Sequence, residues 1–465
     1  MRKATQIESP TLAVMRILRQ PIVVLLAVCA VLTACVQSAD AITGSGATFP
    51  QQFQAWASTT FSRERGTVVL YANPGGGSSK GKSDFKAGLN DFGGTDSAVS
   101  ESQAADFDWV YVPYVGGAIA LAYRLDELNG ASLSLSPRTL GGILSGDIQS
   151  WDDQQIADDM QRAAPWSNLQ RIGEVKGVVA LIQSVSTSLA EVAVLVDPSA
   201  LRNLRGESIS ITDIATGVTV ERLLETGESV VPLSVSSSSK FEVRLGSKSV
   251  AEFVRTPVRL PSLGITVVYR QDGSGTTNNL CKFLGAVVGD GWQVNDTFTS
   301  CISGGSSRVS AFGARFQGQS GSANLSNYVS NTNGAIGYME LSYALDRNRR
   351  KQGLDVAAIM NQAQKFVLPT ARGASQLLAG SEMDDRGFVT FNYEQSDKKD
   401  AYPVVAVTYA LARTERTPRN RLVGEYLRWI LNEFAPSQAS ALGYSALSGS
   451  LLEQALKQAE KAGSL

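Results

Sequence analysis

Residues 264–287 read GITVVYRQDGSGTTNNLCKFLGAV, a β-branched run followed by a glycine-rich turn and an apolar repeat. The run that ends at Arg270 predicts a strand, and the Asp-Gly-Ser-Gly turn at 272–275 ends it. The repeat that follows has helical spacing and comprises Leu280, Phe283, Leu284 and Val287. The stretch therefore predicts a strand, a turn and a helix in succession.

The same order of elements is predicted twice earlier in the chain. Residues 67–71 form a strand-like run that leads through three glycines into a helix from about Ser79 to Leu89. Before that, the glycines of residues 42–50 precede Pro50, which suits a first helical turn. Helix N-termini carry unpaired N–H groups and about half a positive charge, so convergent helix starts form an anion site without any lysine. Any single loop of this kind can also be an ordinary connection.

The composition excludes several kinds of chemistry. The chain has 465 residues, 42 Lys plus Arg against 43 Asp plus Glu, and no histidine. The absence of histidine excludes Ser-His-Asp and Cys-His catalysis and imidazole metal ligation. The length allows roughly two or three domains. A formal charge of −1 supplies no general attraction for nucleic acid.

The N-terminus predicts export. An uncharged apolar stretch of 14 residues, 21–34, is typical of the hydrophobic region of a signal peptide and is short for a membrane span. We therefore interpret residues 1–41 as a signal peptide. Its first residue is either Met1 or Met15, and the second choice gives a signal of ordinary length.

Two ways of processing this signal are open. Residues 32–35, LTAC, resemble the bacterial lipobox, in which Cys35 is lipid-modified and becomes the mature N-terminus. The small residues of 39–41 would instead release a soluble protein that begins at Ile42.

Export changes the interpretation of the cysteines. Cys29 and Cys35 lie in or at the end of the signal, which leaves Cys281 and Cys301 as the pair in the body of the mature chain. In an oxidising compartment they predict a disulfide that closes a loop of about 20 residues and adds roughly 3 kcal/mol. Two cysteines without histidine make a zinc site improbable, so we expect neither a metal nor a cofactor.

The middle of the chain has a different pattern. Residues 163–255 contain short β-branched runs separated by Gly, Ser and Asp turns. They predict a small β-rich inserted domain, after which the αβ pattern returns.

A competing interpretation comes from Gly76 to Ser83, GGSSKGKS, which satisfies the P-loop pattern between a strand and a helix. The run from Val192 to Val196, followed by Asp197, resembles a second nucleotide-binding motif. However, an exported NTPase would meet little ATP. Asp197 also falls in the β-rich insert, whereas a P-loop enzyme needs its magnesium ligand on a neighbouring parallel strand. A P-loop NTPase is therefore the alternative function.

Taken together, the loops resemble the PstS-type phosphate-binding proteins that serve ABC importers. Seven segments carry the resemblance, occur in the family's order and, apart from the insert, span nearly all of the mature chain. They are ITGSGATFP (42–50), DFGGTDSAVS (91–100), PYVGGAIALAY (113–123), LGGILSGDIQSWDDQQI (140–156), RQDGSGTT (270–277), GAIGYMELSYA (334–344) and YPVVAVT (402–408).

The resemblance implies an α/β, type II periplasmic-binding-protein fold. In this fold two αβ lobes, joined by two crossover strands, close over one phosphate. The crossovers would fall near Tyr123 and Tyr402. Lobe I would comprise residues 42–123 with 402–465, and lobe II residues 124–401 with the β-rich insert inside it.

The resemblance also assigns phosphate ligands residue by residue. They are Thr48, the amide of Phe49, Ser78, Asp96, Arg270, Asp272 beside the arginine, Ser274, Gly275 and Thr276. Hydroxyls and helix-start amides supply charge-assisted hydrogen bonds worth roughly 1.5–3 kcal/mol each. Arg270 adds the one formal positive charge, and Asp272, on the same face of the extended segment, can hold the guanidinium in place.

Asp96 explains how such a site selects phosphate. Phosphate still carries a proton at neutral pH and can donate it in a hydrogen bond to a carboxylate, whereas fully ionised sulfate would meet an unpaired buried charge. Sites that depend on one such bond discriminate by roughly 10⁴ to 10⁵. Outside this group of residues, Asp96 would be interpreted as a helix cap or turn residue.

Two segments depart from the family. Lys80 and Lys82 add charge to a loop that is usually small and glycine-rich. This charge either alters the affinity or is simply solvated, and of the two we expect solvation. Residues 304–322 are rich in glycine and serine but lack the family's Gly-Lys-Gly-Asn sequence, so no ligand is assigned there.

We therefore expect a solute receptor, and not an enzyme, that binds inorganic phosphate and delivers it to an ABC permease of the inner membrane. Its location would be periplasmic or at the cell surface, with membrane contact only through a lipid anchor at Cys35. An exported phosphate sensor or phosphatase on the same scaffold is a further alternative, although the sequence offers hydrolysis no evident nucleophile or metal cluster.

Overall fold

A computed structural model describes residues 41–464 except for the ranges 129–131, 164–166, 171–177, 186–188, 197–200, 225–229, 237–239 and 255–258 and the single residues 205 and 290. Apart from its last residue, the predicted signal peptide lies outside the described residues, and so does Cys35. None of the helices in the described ranges combines the length and the apolar character that a membrane span requires.

The strands are numbered in chain order. They are β1 (Ala41–Gly46), β2 (Val68–Gly76), β3 (Phe92–Thr95), β4 (Trp109–Tyr123), β5 (Ser134–Leu135), β6 (Ser167–Gln170), β7 (Val178–Val185), β8 (Leu189–Val196), β9 (Ser208–Asp213), β10 (Thr219–Leu223), β11 (Val230–Ser236), β12 (Lys240–Leu245), β13 (Lys248–Val254), β14 (Thr266–Arg270), β15 (Phe316–Gln319), β16 (Ala335–Glu340), β17 (Asp355–Val356), β18 (Ala358–Met360), β19 (Phe366–Val367), β20 (Glu382–Met383), β21 (Val389–Thr390) and β22 (Val405–Arg413).

The helices are numbered in the same way. They are α1 (Gln51–Arg65), α2 (Ser78–Lys86), α3 (Pro137–Ser145), α4 (Gln154–Ala163), α5 (Leu201–Leu204), α6 (Gly275–Val287), α7 (Gly305–Phe312), α8 (Gly321–Asn331), α9 (Leu341–Ala344), α10 (Arg347–Lys351), α11 (Ala371–Leu378), α12 (Pro418–Trp429), α13 (Ala435–Gln438) and α14 (Gly449–Lys461). A π-helical turn at Ile430–Phe434 joins α12 to α13.

One large sheet runs through the molecule in the order β15-β14-β16-β4-β22-β3-β1-β2. At one end, β1 pairs in parallel with β2 and β3. At the other end, β14 pairs in parallel with β15 and β16. We call the half that carries β1–β3 the first lobe and the half that carries β14–β16 the second lobe. Each parallel set places its strand-to-helix turns at the carboxyl ends of its strands, where ligands bind in open α/β sheets.

The two lobes are joined by β4 and β22. The first part of β4, from Trp109 to Ala118, pairs antiparallel with β22. Its last part, from Ile119 to Tyr123, pairs with β16 of the second lobe. Both strands read as near-continuous apolar runs and are buried along most of their length, as expected for strands covered on both faces. The predicted two-lobed α/β fold with two crossover strands is confirmed.

The β-rich insert is also confirmed. The strands between Ser167 and Val254 form a five-stranded sheet, β10-β9-β12-β13-β6, and a three-stranded sheet, β11-β8-β7. They bury a separate apolar core that contains Ile211, Val243 and Phe253. The insert therefore has its own core beside the main one, and none of its described strands joins the large sheet.

The predicted disulfide between Cys281 and Cys301 is present, with 6.0 Å between the two Cα atoms. It ties α6 to the loop that follows it, and both sulfur atoms are buried in the main core.

Replacing both cysteines by serine should lower the free energy of unfolding by about 3 kcal/mol, because an open chain regains the entropy that the cross-link removes. Thermal or urea unfolding of Cys281→Ser/Cys301→Ser under the same buffer conditions measures this. An unfolding free energy equal to that of the parent protein would contradict the expectation.

Candidate phosphate-binding cleft

The first loop of the cleft lies between β1 and α1. At Gly46 the backbone has a φ of +125°, and an added Cβ would lie 2.2 Å from the carbonyl oxygen of Gly94, so the turn requires glycine. Thr48 and Phe49 follow and are buried. The hydroxyl of Tyr444 donates to the Phe49 carbonyl at 2.7 Å, and the two rings meet edge-on at 5.8 Å. These contacts fix the loop just before its helix begins.

Ser78 and Asp96 come from the other two loops of the first lobe. Ser78 is the first residue of α2, and Asp96 directly follows β3. The Asp96 amide donates to Ser78 Oγ at 3.1 Å. The Asp96 carboxyl accepts from Ser78 Oγ at 3.4 Å and from Thr408 Oγ1, on β22, at 2.7 Å. The carboxyl is therefore held in one orientation by two separate elements, α2 and β22.

Arg270 and Asp272 lie on the second lobe, at the end of β14. Arg270 is fully buried. Its Nε donates to Asp272 Oδ1 at 2.7 Å, and its Nη2 bonds the other carboxylate oxygen. The Asp272 carboxylate also accepts from the Gly321 amide at 3.0 Å. Asp272 thus anchors the guanidinium, whose Nη1 is directed to Ser322 Oγ at 3.2 Å.

Ser274, Gly275 and Thr276 form the start of α6. Ser274 is the N-cap, and its hydroxyl accepts from the Thr277 amide at 3.3 Å. A hydroxyl that accepts one bond can still donate its own hydrogen. The Thr276 hydroxyl is buried and has no hydrogen-bond partner among the described residues. A buried hydroxyl without a partner is a group that a bound anion can satisfy.

The two lobes are in contact across the cleft. The amide of Gly275 donates to Ser78 Oγ at 3.0 Å. The amide of Ser79 donates to the Gly273 carbonyl at 3.1 Å. The hydroxyl of Thr48 lies 3.2 Å from that of Ser322. The nine predicted residues therefore come together from four loops at one cleft.

Sequence reasoning missed Ser322 and Thr408, which contact predicted residues of this cleft. Ser322 sits in the first turn of α8 and contacts both Thr48 and Arg270. The order β15, Gln-Ser-Gly-Ser, α8 repeats the strand, turn and helix pattern of the other loops, and this signal could have identified it. Thr408 lies within a run resembling the family, but its contact with Asp96 follows from the pairing of β22 with β3, which the sequence did not specify.

Burial controls the protonation of the cleft. Burial raises the pKa of Asp96 to about 7, although the bond from Thr408 and the charge of Arg270 act in the opposite direction. Burial likewise raises the pKa of Glu340, at the end of β16, to about 8. Burial disfavours the Arg270 charge, but Asp272 more than offsets this and leaves the pKa of Arg270 above its ordinary value. The cleft thus has a permanent cation and carboxyls that titrate near neutral pH.

The expectation that both lysines are solvated is wrong for Lys82. Its side chain is buried and forms an ion pair with Asp296 at 2.8 Å. Lys80 is half exposed and pairs with Asp84, one turn away on the same helix. The difference follows from helix geometry, because residues two apart lie on different faces of α2.

The P-loop alternative does not fit this geometry. Helix α2 begins at Ser78, so Lys82 and Ser83 lie one turn inside the helix instead of at its first turn. The run from Val192 to Val196 belongs to an antiparallel three-stranded sheet of the insert, and Asp197 lies outside the described residues. Within the described part of the chain, no cluster of Cys, Asp or Glu is arranged to hold a metal ion.

Two lobes that meet over a buried group of hydroxyls, amides and one guanidinium define a solute-binding class of protein. The family model described as a PBP superfamily domain matches residues 34–169 and 255–433. The chain therefore belongs to the PBP superfamily. The unmatched stretch between the two segments corresponds to the β-rich insert.

Curated relatives cover most of the chain. The phosphate-binding protein PstS of Methanocaldococcus jannaschii is 23% identical over 431 residues, which are 87% of this chain and 81% of that protein. The phosphate-binding protein PstS of Pasteurella multocida is 21% identical over 402 residues, 86% of this chain and 84% of that protein.

Solved structures share the fold. A crystal structure of a DING protein is 17% identical, covers 89% of this chain and 92% of its own, and has a TM-score of 0.52. The PfluDING protein, a high-affinity periplasmic phosphate-binding protein solved with bound phosphate, has the same identity and coverage and a TM-score of 0.50.

Gly275→Ala should weaken phosphate binding by at least about tenfold, or about 1.4 kcal/mol. An added Cβ would lie 2.5 Å from Ser78 Oγ and 2.6 Å from Asp96 Cβ, so the lobes could not approach fully. Alanine is a better helix former than glycine, so the unfolding midpoint should not fall.

Calorimetric titration with phosphate measures the effect. Gly264→Ala is the matched control, because its nearest contact would be an ordinary 3.5 Å from Arg315. Equal phosphate affinity for Gly275→Ala and the parent protein would contradict the close approach of the lobes at this glycine.

Proposed function

We propose that this protein binds inorganic phosphate outside the cytoplasm and delivers it to an ABC-type importer. The observation that carries the proposal is the cleft itself, in which Arg270, Asp96 and the start of α6 meet between the lobes. The PstS relatives and the PfluDING protein are named as phosphate-binding proteins, which supports the same ligand. An ABC permease is the partner that this function requires.

The donors of the cleft suit a tetrahedral oxyanion. The fork of Arg270 is fixed by Asp272 on one side and faces Ser322 on the other, so it can bind two oxygens of one anion. The hydroxyls of Thr48, Ser78, Ser274 and Thr276 and the amide of Phe49 would complete the ligand set, whereas the amide of Gly275, also predicted as a ligand, donates to Ser78 Oγ. Ser322 would belong to the same set, because its hydroxyl lies next to the Thr48 hydroxyl and the Arg270 guanidinium. Such groups hold an anion by local geometry and need no basic surface.

Asp96 is the group that would distinguish phosphate from sulfate. As a carboxylate it accepts a hydrogen bond from the proton that phosphate carries. Sulfate brings no proton and would leave two negative groups in contact without a bond between them. The contacts from Thr408 and Ser78 keep this carboxyl in place.

We propose that two lobes close over the anion. Lobe I comprises residues 42–123 with 402–465, and lobe II comprises residues 124–401. The insert at 163–255 would lie outside the cleft. The protein would act as a binding protein and not as an enzyme, a role that its relatives, named as phosphate-binding proteins, support. A periplasmic or cell-surface location, with Cys35 as a lipid anchor, fits the apolar N-terminal stretch.

Calorimetric titration of the purified protein with inorganic phosphate, repeated with sulfate as competitor, tests the function. We expect saturable binding of one phosphate that excess sulfate does not displace. The absence of saturable binding, or equal binding of sulfate, would overturn the proposal.

The preference for phosphate over sulfate should grow as the pH rises from about 5.5 to 8.5. Because the pKa of Asp96 is raised to about 7, the group is a neutral carboxyl below that pH and can donate to sulfate. Above that pH it is a carboxylate and repels sulfate. The ratio of the sulfate and phosphate dissociation constants, measured across this range, checks the direction.

Asp96→Asn should remove most of this preference, up to the roughly 10⁴-fold that one required hydrogen bond provides, and should leave only the pH dependence that comes from the ionisation of phosphate itself. The amide does not titrate and can donate to either anion. Asp91→Asn is the matched control, since Asp91 is a buried aspartate of the same lobe that binds Thr43 away from the cleft. A preference in Asp96→Asn that is as large as in the parent protein and rises as steeply with pH would contradict the role of Asp96.

A further inference from the structure

Lys82 of the first lobe and Asp296 of the second lobe form a buried ion pair across the cleft. Nζ of Lys82 lies 2.8 Å from Oδ2 of Asp296, and the Lys82 side chain is 2% exposed. The other two donors of the ammonium reach the Ala98 carbonyl at 3.0 Å and Ser97 Oγ at 3.1 Å. All three donors of this lysine are therefore used within the protein.

Asp296 collects hydrogen bonds from both lobes. Ser79 Oγ, of the first lobe, donates to Oδ2 at 3.0 Å. Asn278 Nδ2, on α6 of the second lobe, donates to Oδ1 at 3.0 Å. The backbone carbonyl of Asp296 accepts from the Ser274 amide at 2.9 Å. Asp296 thus connects α2, which carries Lys82, to Ser274 at the start of α6.

The disulfide fixes the loop that carries Asp296. Cys281 lies on α6 and Cys301 closes the loop 20 residues later, so Asp296 lies inside the ring. Lys282 is a further cation that interacts with Asp296. Burial lowers the pKa of Lys282 and Asp296 acts against this, while the Lys282 ammonium rests 5.1 Å from the ring centre of Phe388. These contacts of the Asp296 loop lie within the second lobe and do not involve the first lobe.

We propose that Lys82, Ser79, Asn278 and Asp296 form a latch that stabilises the closed cleft without touching the anion. Opening the lobes separates Lys82 and Ser79 from Asp296. A buried pair favours closure when its geometry is good and its remaining donors and acceptors are satisfied, as they are here. The latch rests on the proposed function, because closure holds the ligand, and it makes Lys82 and Asp296 positioning residues.

A different role for Lys82 predicts the opposite result for Asp296. If Lys82 attracted the anion directly, removing the negative charge of Asp296 would free the lysine and tighten binding. If the pair is a latch, the same change loosens closure and weakens binding. Asp296→Asn keeps the shape of the side chain. The direction in which it changes the phosphate affinity therefore distinguishes the two roles.

The experiment measures the affinity and dissociation rate of inorganic phosphate for Lys82→Met, Asp296→Asn and the double variant. We expect each single change to raise the dissociation constant by about tenfold or more, mainly through faster dissociation. The double variant should lose less than the product of the two single effects. The preference for phosphate over sulfate should stay at the parent value, because Asp96 is intact. Lys80→Met is the control, since Lys80 pairs within its own helix.

Two results would overturn the latch. One is tighter phosphate binding by Asp296→Asn, and the other is that the affinity and dissociation rate of the single variants stay within about twofold of the parent. Small-angle X-ray scattering without added anion tests the latch even if the proposed function is wrong, because it measures lobe closure and does not depend on phosphate binding. Lys82→Met should be more open than the parent even if phosphate does not bind at all, and an unchanged scattering curve would refute the latch. If Lys82→Met does not fold, Asp296→Asn carries both measurements.

Discussion

The close approach of the start of α6 to Ser78 and Asp96 is the contact on which the rest of the cleft depends. The amide of Gly275 reaches Ser78 Oγ at 3.0 Å because Gly275 has no Cβ, which would lie 2.5 Å from that oxygen. Glycines at Gly77 and Gly273 make the neighbouring approach possible in the same way. Because the two lobes approach so closely, the amides at helix starts and the short hydroxyl side chains can surround a small anion.

Charge in the cleft is balanced locally. Arg270 is buried, but its charge is compensated by Asp272, and the remaining carboxyls of Asp96 and Glu340 have pKa values raised by burial to about 7 and 8. The interior therefore carries little net charge before an anion enters, and its hydroxyl and amide donors are already oriented by hydrogen bonds within the protein. The absence of histidine from the sequence is consistent with this arrangement, since the proton that matters can come from the ligand.

Much of the fold could be predicted from the sequence. The strand, glycine turn and helix order placed Ser274 and Gly275 at a helix start, and the β-branched runs of 163–255 indicated a separate β-rich unit. These features depend on local spacing and turn chemistry. Lys82 was misjudged because its burial depends on Asp296, more than 200 residues away. Ser322 and Thr408 were missed because their roles depend on which strands are neighbours, and local patterns do not encode strand order.

A crystal structure of the protein grown with inorganic phosphate tests the central claim most directly. We predict one tetrahedral anion between the lobes, with one oxygen at hydrogen-bond distance from the Asp96 carboxyl and others bonded to Arg270 and to the Thr276 hydroxyl. An anion bound elsewhere, or one at the cleft that does not contact Asp96, would contradict the claim that this cleft recognises phosphate through its proton.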